Sequence, residues 1–244
     1  MTKRLDLILN GKGGVGKSFF AVNLVQYFKD KQIPYVAIDS DNENSTLKRF
    51  HPDAEFMDLA EPRDLDGMFS ALERSPLALV DCRAASTDVF FDYFQEIDVA
   101  EALRALNAEL TVIMPVNHES DSLEQVQSVV KQFGNSCRYV VLRNAVHSDS
   151  FALYDKSKVR QRLNAELGAK EINMERLRPW LVEGLQRANL TVTHASRHAD
   201  FPLLDRQRLQ TWQRQLYCEI DSVTDLLLPA KPASVVPHEK NRLL

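Results

Sequence analysis

The chain has 244 residues, 44% hydrophobic and 26% charged, with 30 basic against 34 acidic side chains and a formal net charge of −4. This is ordinary globular composition, long enough for one well-buried core, and it excludes a protein coated in positive charge. Three widely spaced cysteines, Cys82, Cys137 and Cys218, make neither a disulfide framework nor a CxxC metal clip and fit a reducing compartment. No apolar run nears the roughly 18 residues of a membrane span, and no apolar signal core follows Lys3 and Arg4, so a cytoplasmic protein without membrane insertion is expected.

In chain order, Leu5-Asp6-Leu7-Ile8-Leu9 reads as a short buried strand. Glycine then concentrates: of 8 in the chain, Gly11, Gly13, Gly14 and Gly16 fall together in Gly11-Lys12-Gly13-Gly14-Val15-Gly16-Lys17-Ser18. This satisfies G-x-x-x-x-G-K-[ST]. A helix follows from Phe19 to Lys31, with Phe20, Leu24, Tyr27 and Phe28 at helical spacing. Strand, glycine loop and helix are the context that a phosphate-binding loop requires. Glycines let successive backbone N–H groups turn toward an anion at the positive end of the helix. In such a loop Lys17 reaches the β and γ phosphates, and the Ser18 hydroxyl ligates Mg²⁺.

Ile33 to Ile38 reads as a second strand with Pro34 at its start, where a missing N–H is harmless. It delivers Asp39 and Asp41 to the carboxyl end of a sheet, the place where such sheets bind ligands. Residues 47–76 show only one short helix, Leu65 to Leu72. Leu77 to Val80 is a buried strand ending in Asp81, the Walker B pattern whose carboxylate holds Mg²⁺ or its water. Residues 87–107 read as one helix capped by Thr87 or Asp88. Leu110 to Val116 is a strand, Leu123 to Phe133 a helix stopped by Gly134, and Arg138 to Leu142 a strand ending at Arg143-Asn144. Glu171 to Leu177 reads as a last strand, and Leu181 to Ala188 and Asp205 to Leu228 as helices. Strand and helix alternate throughout, which predicts an α/β fold: a doubly wound, mostly parallel sheet with helices on both faces. One domain is expected over residues 1–228. A flexible, proline-containing tail is expected over 229–244, where Pro229, Pro232 and Pro237 crowd together.

Lys12 is the extra residue in the loop. Lys12-Gly13-Gly14-Val15-Gly16-Lys17-Ser18 resembles the deviant Walker A loop of the ParA/MinD-type ATPases, P-loop NTPases of the SIMIBI kind. The resemblance runs over about residues 3–150. It continues through Ala21-Val22-Asn23-Leu24, Asp39-x-Asp41, the strand ending in Asp81, Met114-Pro115-Val116 and the strand ending in Asn144. It implies a cofactor-binding set of Gly11, Lys12, Gly13, Gly14, Val15, Gly16, Lys17, Ser18, Phe19 and Asn144 for ATP, with Asn144 reading adenine. It implies Ser18, Asp39 and Asp81 around Mg²⁺. It also implies a catalytic set of Lys12, Lys17 and Asp41: Lys12 crossing to the partner's phosphates in an ATP-sandwich homodimer, Asp41 positioning the attacking water.

Three further segments, Ile38 to Thr46, Val80 to Ser86 and Leu204 to Leu209, resemble the TraL-type proteins of conjugative plasmids. That implies an accessory ATPase in plasmid conjugation or maintenance, working with a protein partner. There are departures. Asn42 and Glu43 replace the Pro and Gln of D-x-D-P-Q, and Cys82-Arg83-Ala84-Ala85 replaces a proline-rich turn after Asp81. The resemblance implies that both segments contact γ-phosphate, so slow, partner-stimulated hydrolysis is expected. Arg83 is a candidate charge stabiliser there. Two other functions compete: a nucleotide-binding scaffold with little hydrolysis, and a small-molecule kinase or ATP-dependent ligase on the same architecture.

The remaining constellations are weaker. His194 and His198 would share a helix face, but Ala195 occupies the Glu position of H-E-x-x-H, so they read as structural or surface residues. Nothing pairs Cys82 with Cys137 as cluster ligands. Basic residues at 156–162, 176–178, Arg206, Arg208 and Arg214 read as a solvated charged face rather than a non-specific DNA surface. The prolines and scattered Lys231, Lys240 and Arg242 of the tail do not resemble the membrane helix of MinD.

Overall fold

The computed structural model describes residues 1–230. Seven parallel strands form one sheet: β1 (Lys3–Ile8), β2 (Val36–Asp39), β3 (Glu55–Phe56), β4 (Leu77–Asp81), β5 (Ala108–Val116), β6 (Arg138–Asn144) and β7 (Lys170–Met174). Their order is β3-β2-β4-β1-β5-β6-β7, with every pairing parallel. The strands read as near-continuous apolar runs because helices cover both faces of the sheet.

Alternation still assigns the faces. Leu5, Leu7, Ala78, Val80, Val112 and Met114 point to one core layer, while Ile8, Leu77, Leu79, Ile113 and Leu142 point to the other. The second layer is closed by α1 (Lys17–Asp30), α2 (Thr46–Phe50), and the late helices described below. The first is closed by α3 (Pro62–Leu65), α4 (Gly67–Arg74), α5 (Thr87–Glu96), α6 (Val99–Ala105), α7 (Ser120–Phe133), α8 (Ala152–Asp155) and α9 (Lys158–Ala165). After β7 the chain returns to the α1 face as α10 (Pro179–Ala188), α11 (Val192–Ala195), α12 (Leu203–Asp221) and α13 (Thr224–Leu227).

Several expectations are corrected. β2 begins at Val36, so Pro34 lies in the connection before it. The single helix over 87–107 is two: Asp98 takes φ 48°, which ends α5, and its carboxylate accepts the Glu101 N–H to start α6. The 47–76 stretch holds α2, β3, α3 and α4 rather than one helix. The last long helix ends at Asp221 and restarts as α13. Of the expected tail, residues 231–244 lie outside the described residues; Ala230 donates its N–H to the Thr2 carbonyl.

Asp6 sits in the middle of β1, fully buried, and neither carboxylate oxygen has a hydrogen-bond partner. Burial pushes its pKa well above the usual carboxylate range, against the pull of Arg4. The native chain therefore holds a proton that the unfolded chain releases, and stability falls as pH rises from the ordinary range toward the raised value. Asp6→Asn is expected to raise thermal stability at about pH 8 by a few kcal/mol at most, and to gain less at about pH 5. Thermal unfolding at the two pH values checks this; an equal or reversed change would remove Asp6 as the cause.

Candidate nucleotide site

The glycine loop leaves the central strand β1 and is braced from below by Asn10. Its side-chain amide donates to the Pro115 carbonyl at 2.7 Å and the Ser122 carbonyl at 3.2 Å, and its Oδ1 accepts the Lys12 N–H at 2.9 Å. The loop ends at Gly16, whose φ of 98° suits glycine. A Cβ there would also run into the Asn144 amide. A Cβ on Gly11 would run into Gln125. Asn144 is 1% exposed and sits at the end of β6. Its Nδ2 donates to the Val15 carbonyl at 2.9 Å, and its Oδ1 accepts the Val146 N–H at 3.1 Å. One N–H and one lone pair of that amide remain.

Lys17, the first residue of α1, folds back over the loop. Its Nζ donates to the carbonyls of Asn10 at 2.7 Å and Lys12 at 2.9 Å. Burial lowers its pKa, opposed chiefly by the Asp81 carboxylate. These carbonyls hold the ammonium at the loop.

The carboxylates converge because their strands are neighbours. Asp39 and Asp81 are direct partners across β2 and β4, and Asp81 pairs with Ile8 across β4 and β1. Asp81 is 1% exposed with both oxygens unpartnered. Burial raises its pKa to about 7; the nearby Ser18 hydroxyl, outside hydrogen-bond geometry, and Lys17 oppose the rise, while Asp39 adds to it. Two orphaned carboxylate oxygens beside Ser18 and the phosphate loop fit a hard divalent cation that keeps most of its shell for water and phosphate. Asp39 is differently placed. Its Oδ1 accepts the Asp41 N–H and its Oδ2 accepts the Lys48 N–H, both at 3.0 Å, so it caps the first turn of α2. Burial raises its pKa against these hydrogen bonds. Asp41 accepts the N–H groups of Glu43 and Asn44 at 3.0 and 3.2 Å, which curls the loop that carries it.

Lys12 is not free in solution. Its Nζ lies 3.2 Å from both Glu119 Oε2 and Asp121 Oδ2, at the start of α7. Asn117 Nδ2 holds the same Glu119 oxygen at 3.1 Å. The pair raises the Lys12 pKa, and Lys12 in turn helps lower those of both carboxylates. Neither acid carried a motif, and nothing in sequence spacing links residues 119 and 121 to residue 12.

A cavity of about 720 Å³ opens on this end of the sheet. Gly13, Gly14, Gly16, Lys17, Ser18, Phe19, Asp41 and Arg83 line its phosphate-loop end. It then continues over α1, between Arg49 and Phe50 of α2 and an apolar wall of Val182, Leu185, Leu190 and Val192. Phe19 also packs its ring 5.6 Å from that of Trp212. Gly11, Lys12, Val15, Asp39, Asp81 and Asn144 are not among the residues that line it.

Elsewhere, His194 lies in the four-residue α11 and meets the Thr191 hydroxyl through Nδ1, while His198 falls beyond that helix. The expected shared helix face therefore does not form. Arg160, Arg162 and Arg208 are each paired with an acid of this chain, Glu171, Glu166 and Asp205. No helix among the described residues is long and apolar enough to cross a membrane.

This sheet order and loop define a MinD-like P-loop NTPase fold. Residues 7–198 match the CobQ/CobB/MinD/ParA nucleotide binding domain, and the chain belongs to that family. It is 23% identical over 220 residues to protein MobD of Acidithiobacillus ferrooxidans, covering 88% of this chain and 95% of that one. Among solved structures it resembles the MinD cell division protein of Aquifex aeolicus, with TM-score 0.52 and 16% identity over 89% of this chain and 98% of that one. It also resembles the septum site-determining protein MinD of Pyrococcus horikoshii, solved with Mg-ADP, with TM-score 0.50 and 16% identity over 94% and 100% of the two chains.

Proposed function

We propose that the protein is a Mg²⁺-dependent ATPase switch that dimerises around ATP and resets by hydrolysis. The observation that carries it is the orphaned, buried Asp81 carboxylate beside Ser18 at the mouth of the phosphate loop. The loop N–H groups and Lys17 take the phosphates, with Lys17 exchanging the Asn10 and Lys12 carbonyls for phosphate oxygens. Ser18 and Asp81 would hold Mg²⁺, with Asp39 next to Asp81 across the β2–β4 pair, and the ion would supply charge neutralisation to the phosphates. Asp41 positions the attacking water. The N–H and lone pair left on Asn144 complement the acceptor and donor on adenine's edge, while its other contacts keep β6 tied to the loop. Lys12 leaves its acidic pair to reach the partner's γ-phosphate. The resemblance of Ile38 to Thr46, Val80 to Ser86 and Leu204 to Leu209 to TraL-type proteins supports a role in plasmid transfer or maintenance, in the cytoplasm, with a protein partner that speeds hydrolysis.

The test is nucleotide affinity, phosphate release and solution molar mass with Mg-ATP, with Mg-ADP and without nucleotide. A dimer with Mg-ATP alone, together with slow phosphate release, is expected. A mass indifferent to nucleotide would end the dimer switch, and tight ATP binding without any turnover would leave a scaffold. The cavity supports a second reading, a small-molecule kinase or ligase: its apolar section beyond the phosphates has room for an acceptor. ATP consumption that appears only with an added small-molecule acceptor, in a nucleotide-indifferent monomer, would favour it.

A further inference from the structure

We infer that Arg83 is a charge-stabilising catalytic residue supplied in cis, whose guanidinium binds the γ-phosphoryl group as it transfers. The inference rests on the ATPase reading above and adds to it a residue that lies outside the phosphate loop.

The backbone around Arg83 is fixed on every side. Its N–H donates to Ser40 Oγ at 3.0 Å, and that hydroxyl in turn donates to the Asp81 carbonyl at 3.0 Å. The Arg83 carbonyl accepts the Ser86 hydroxyl at 2.8 Å. Two residues on, Ala85 takes φ 56° and donates its N–H to the Gly11 carbonyl at 3.0 Å. The turn after β4 is thereby clamped to the phosphate loop, and a Cβ built on Gly13 would stand 4.0 Å from that of Ala84. A residue held this way can present a side chain with little reorganisation.

The side chain is half-buried and lines the cavity with Gly13, Gly14, Lys17, Ser18 and Asp41. Among the described residues it makes no ion pair, and its polar contact is a long one, Nη1 to Asn42 Oδ1 at 3.5 Å. A guanidinium offers five donors in a fixed fork suited to phosphate oxygens. Lining the phosphate cradle and without a carboxylate partner among the described residues, the guanidinium is available to γ-phosphate oxygens. In the reaction the water oxygen bonds to γ-phosphorus, the bond from γ-phosphorus to the β,γ-bridging oxygen breaks, and ADP leaves with that electron pair. Arg83 donates hydrogen bonds to the γ oxygens and transfers no proton; the water's proton passes to phosphate and solvent.

The test compares the full chain with Arg83→Ala and Arg83→Lys, measuring Mg-ADP affinity, Mg-ADP-aluminium-fluoride affinity and single-turnover hydrolysis at saturating Mg-ATP. In Arg83→Ala, Mg-ADP affinity is expected to change less than about threefold. Hydrolysis is expected to fall about 10²- to 10³-fold, with a matching loss of affinity for the fluoride complex. Added guanidinium ion should restore part of the rate to Arg83→Ala. Arg83→Lys keeps the charge without the fork and should stay well below the parent rate. Unchanged hydrolysis and fluoride-complex affinity in Arg83→Ala, with nucleotide still bound, would overturn the assignment and leave the ATPase reading standing. A parent chain that binds no nucleotide would overturn both.

Discussion

Asp81→Asn is expected to make the nucleotide-free protein more stable and to remove nearly all of the proposed ATPase activity. The carboxylate is buried, raised in pKa and unpartnered on both oxygens, so the fold carries an uncompensated group at this position. An amide has no charge to bury and should stabilise the free chain by about 1–3 kcal/mol, seen as a higher Tm without nucleotide. The same change removes an anionic ligand from the proposed Mg²⁺ site, and phosphate release should fall at least about 100-fold. The extra stability that Mg-ATP gives the parent should shrink as well, because ligand stabilisation scales with affinity. A variant that loses both stability and activity would make Asp81 an ordinary structural residue. A variant that keeps its activity would remove it from the metal shell.

Lys12 should give a second large effect, on assembly rather than on binding. Lys12→Ala is expected to abolish the proposed ATP-dependent dimer, while changing nucleotide affinity of the monomer only slightly. Equal loss of both would count against a role across the dimer. The acidic pair supplies a control of opposite sign. Glu119→Gln with Asp121→Asn removes both anions that hold Lys12 on its own chain, so the ATP-dependent dimer should form at lower protein concentration. These are exposed ion pairs, and a shift of about fivefold or less is expected. Molar mass against concentration in Mg-ATP measures both effects, and a weaker dimer in the double variant would show that the acids support assembly instead.

The central part of this architecture is legible in the sequence because single physical causes dominate there. Short apolar runs such as Leu77 to Val80, bounded by Pro76 and Asp81, read as strands buried on both faces, and the clustered glycines around Lys17 have one common use. Adjacent elements decided by small local terms are not legible. The break between α5 and α6 rests on Asp98 accepting a left-handed backbone, and the five-residue α2 exists because Asp39, seven residues upstream of its first residue, accepts a hydrogen bond from its first turn. Contacts between distant segments were hidden for another reason. Asn10 bracing the loop against Pro115 and Ser122, and Lys12 meeting Glu119 and Asp121, depend on which strands lie side by side, and sequence spacing does not carry that information. The apolar cavity wall from α10 to Val192 carries no signal of its own in the sequence, since leucine and valine at helical spacing are the same in a core and in a cleft.

The double duty of Asp39 has a mechanical consequence. One oxygen sets the loop that carries Asp41, and the other anchors α2, which brings Arg49 and Phe50 to the cavity rim. Any nucleotide state that turns this carboxylate toward a metal's water takes an acceptor away from a helix only five residues long, too short to hold its place by its own hydrogen bonds. The rim would then loosen whenever that acceptor is withdrawn, so its shape would report which way a single buried carboxylate is turned.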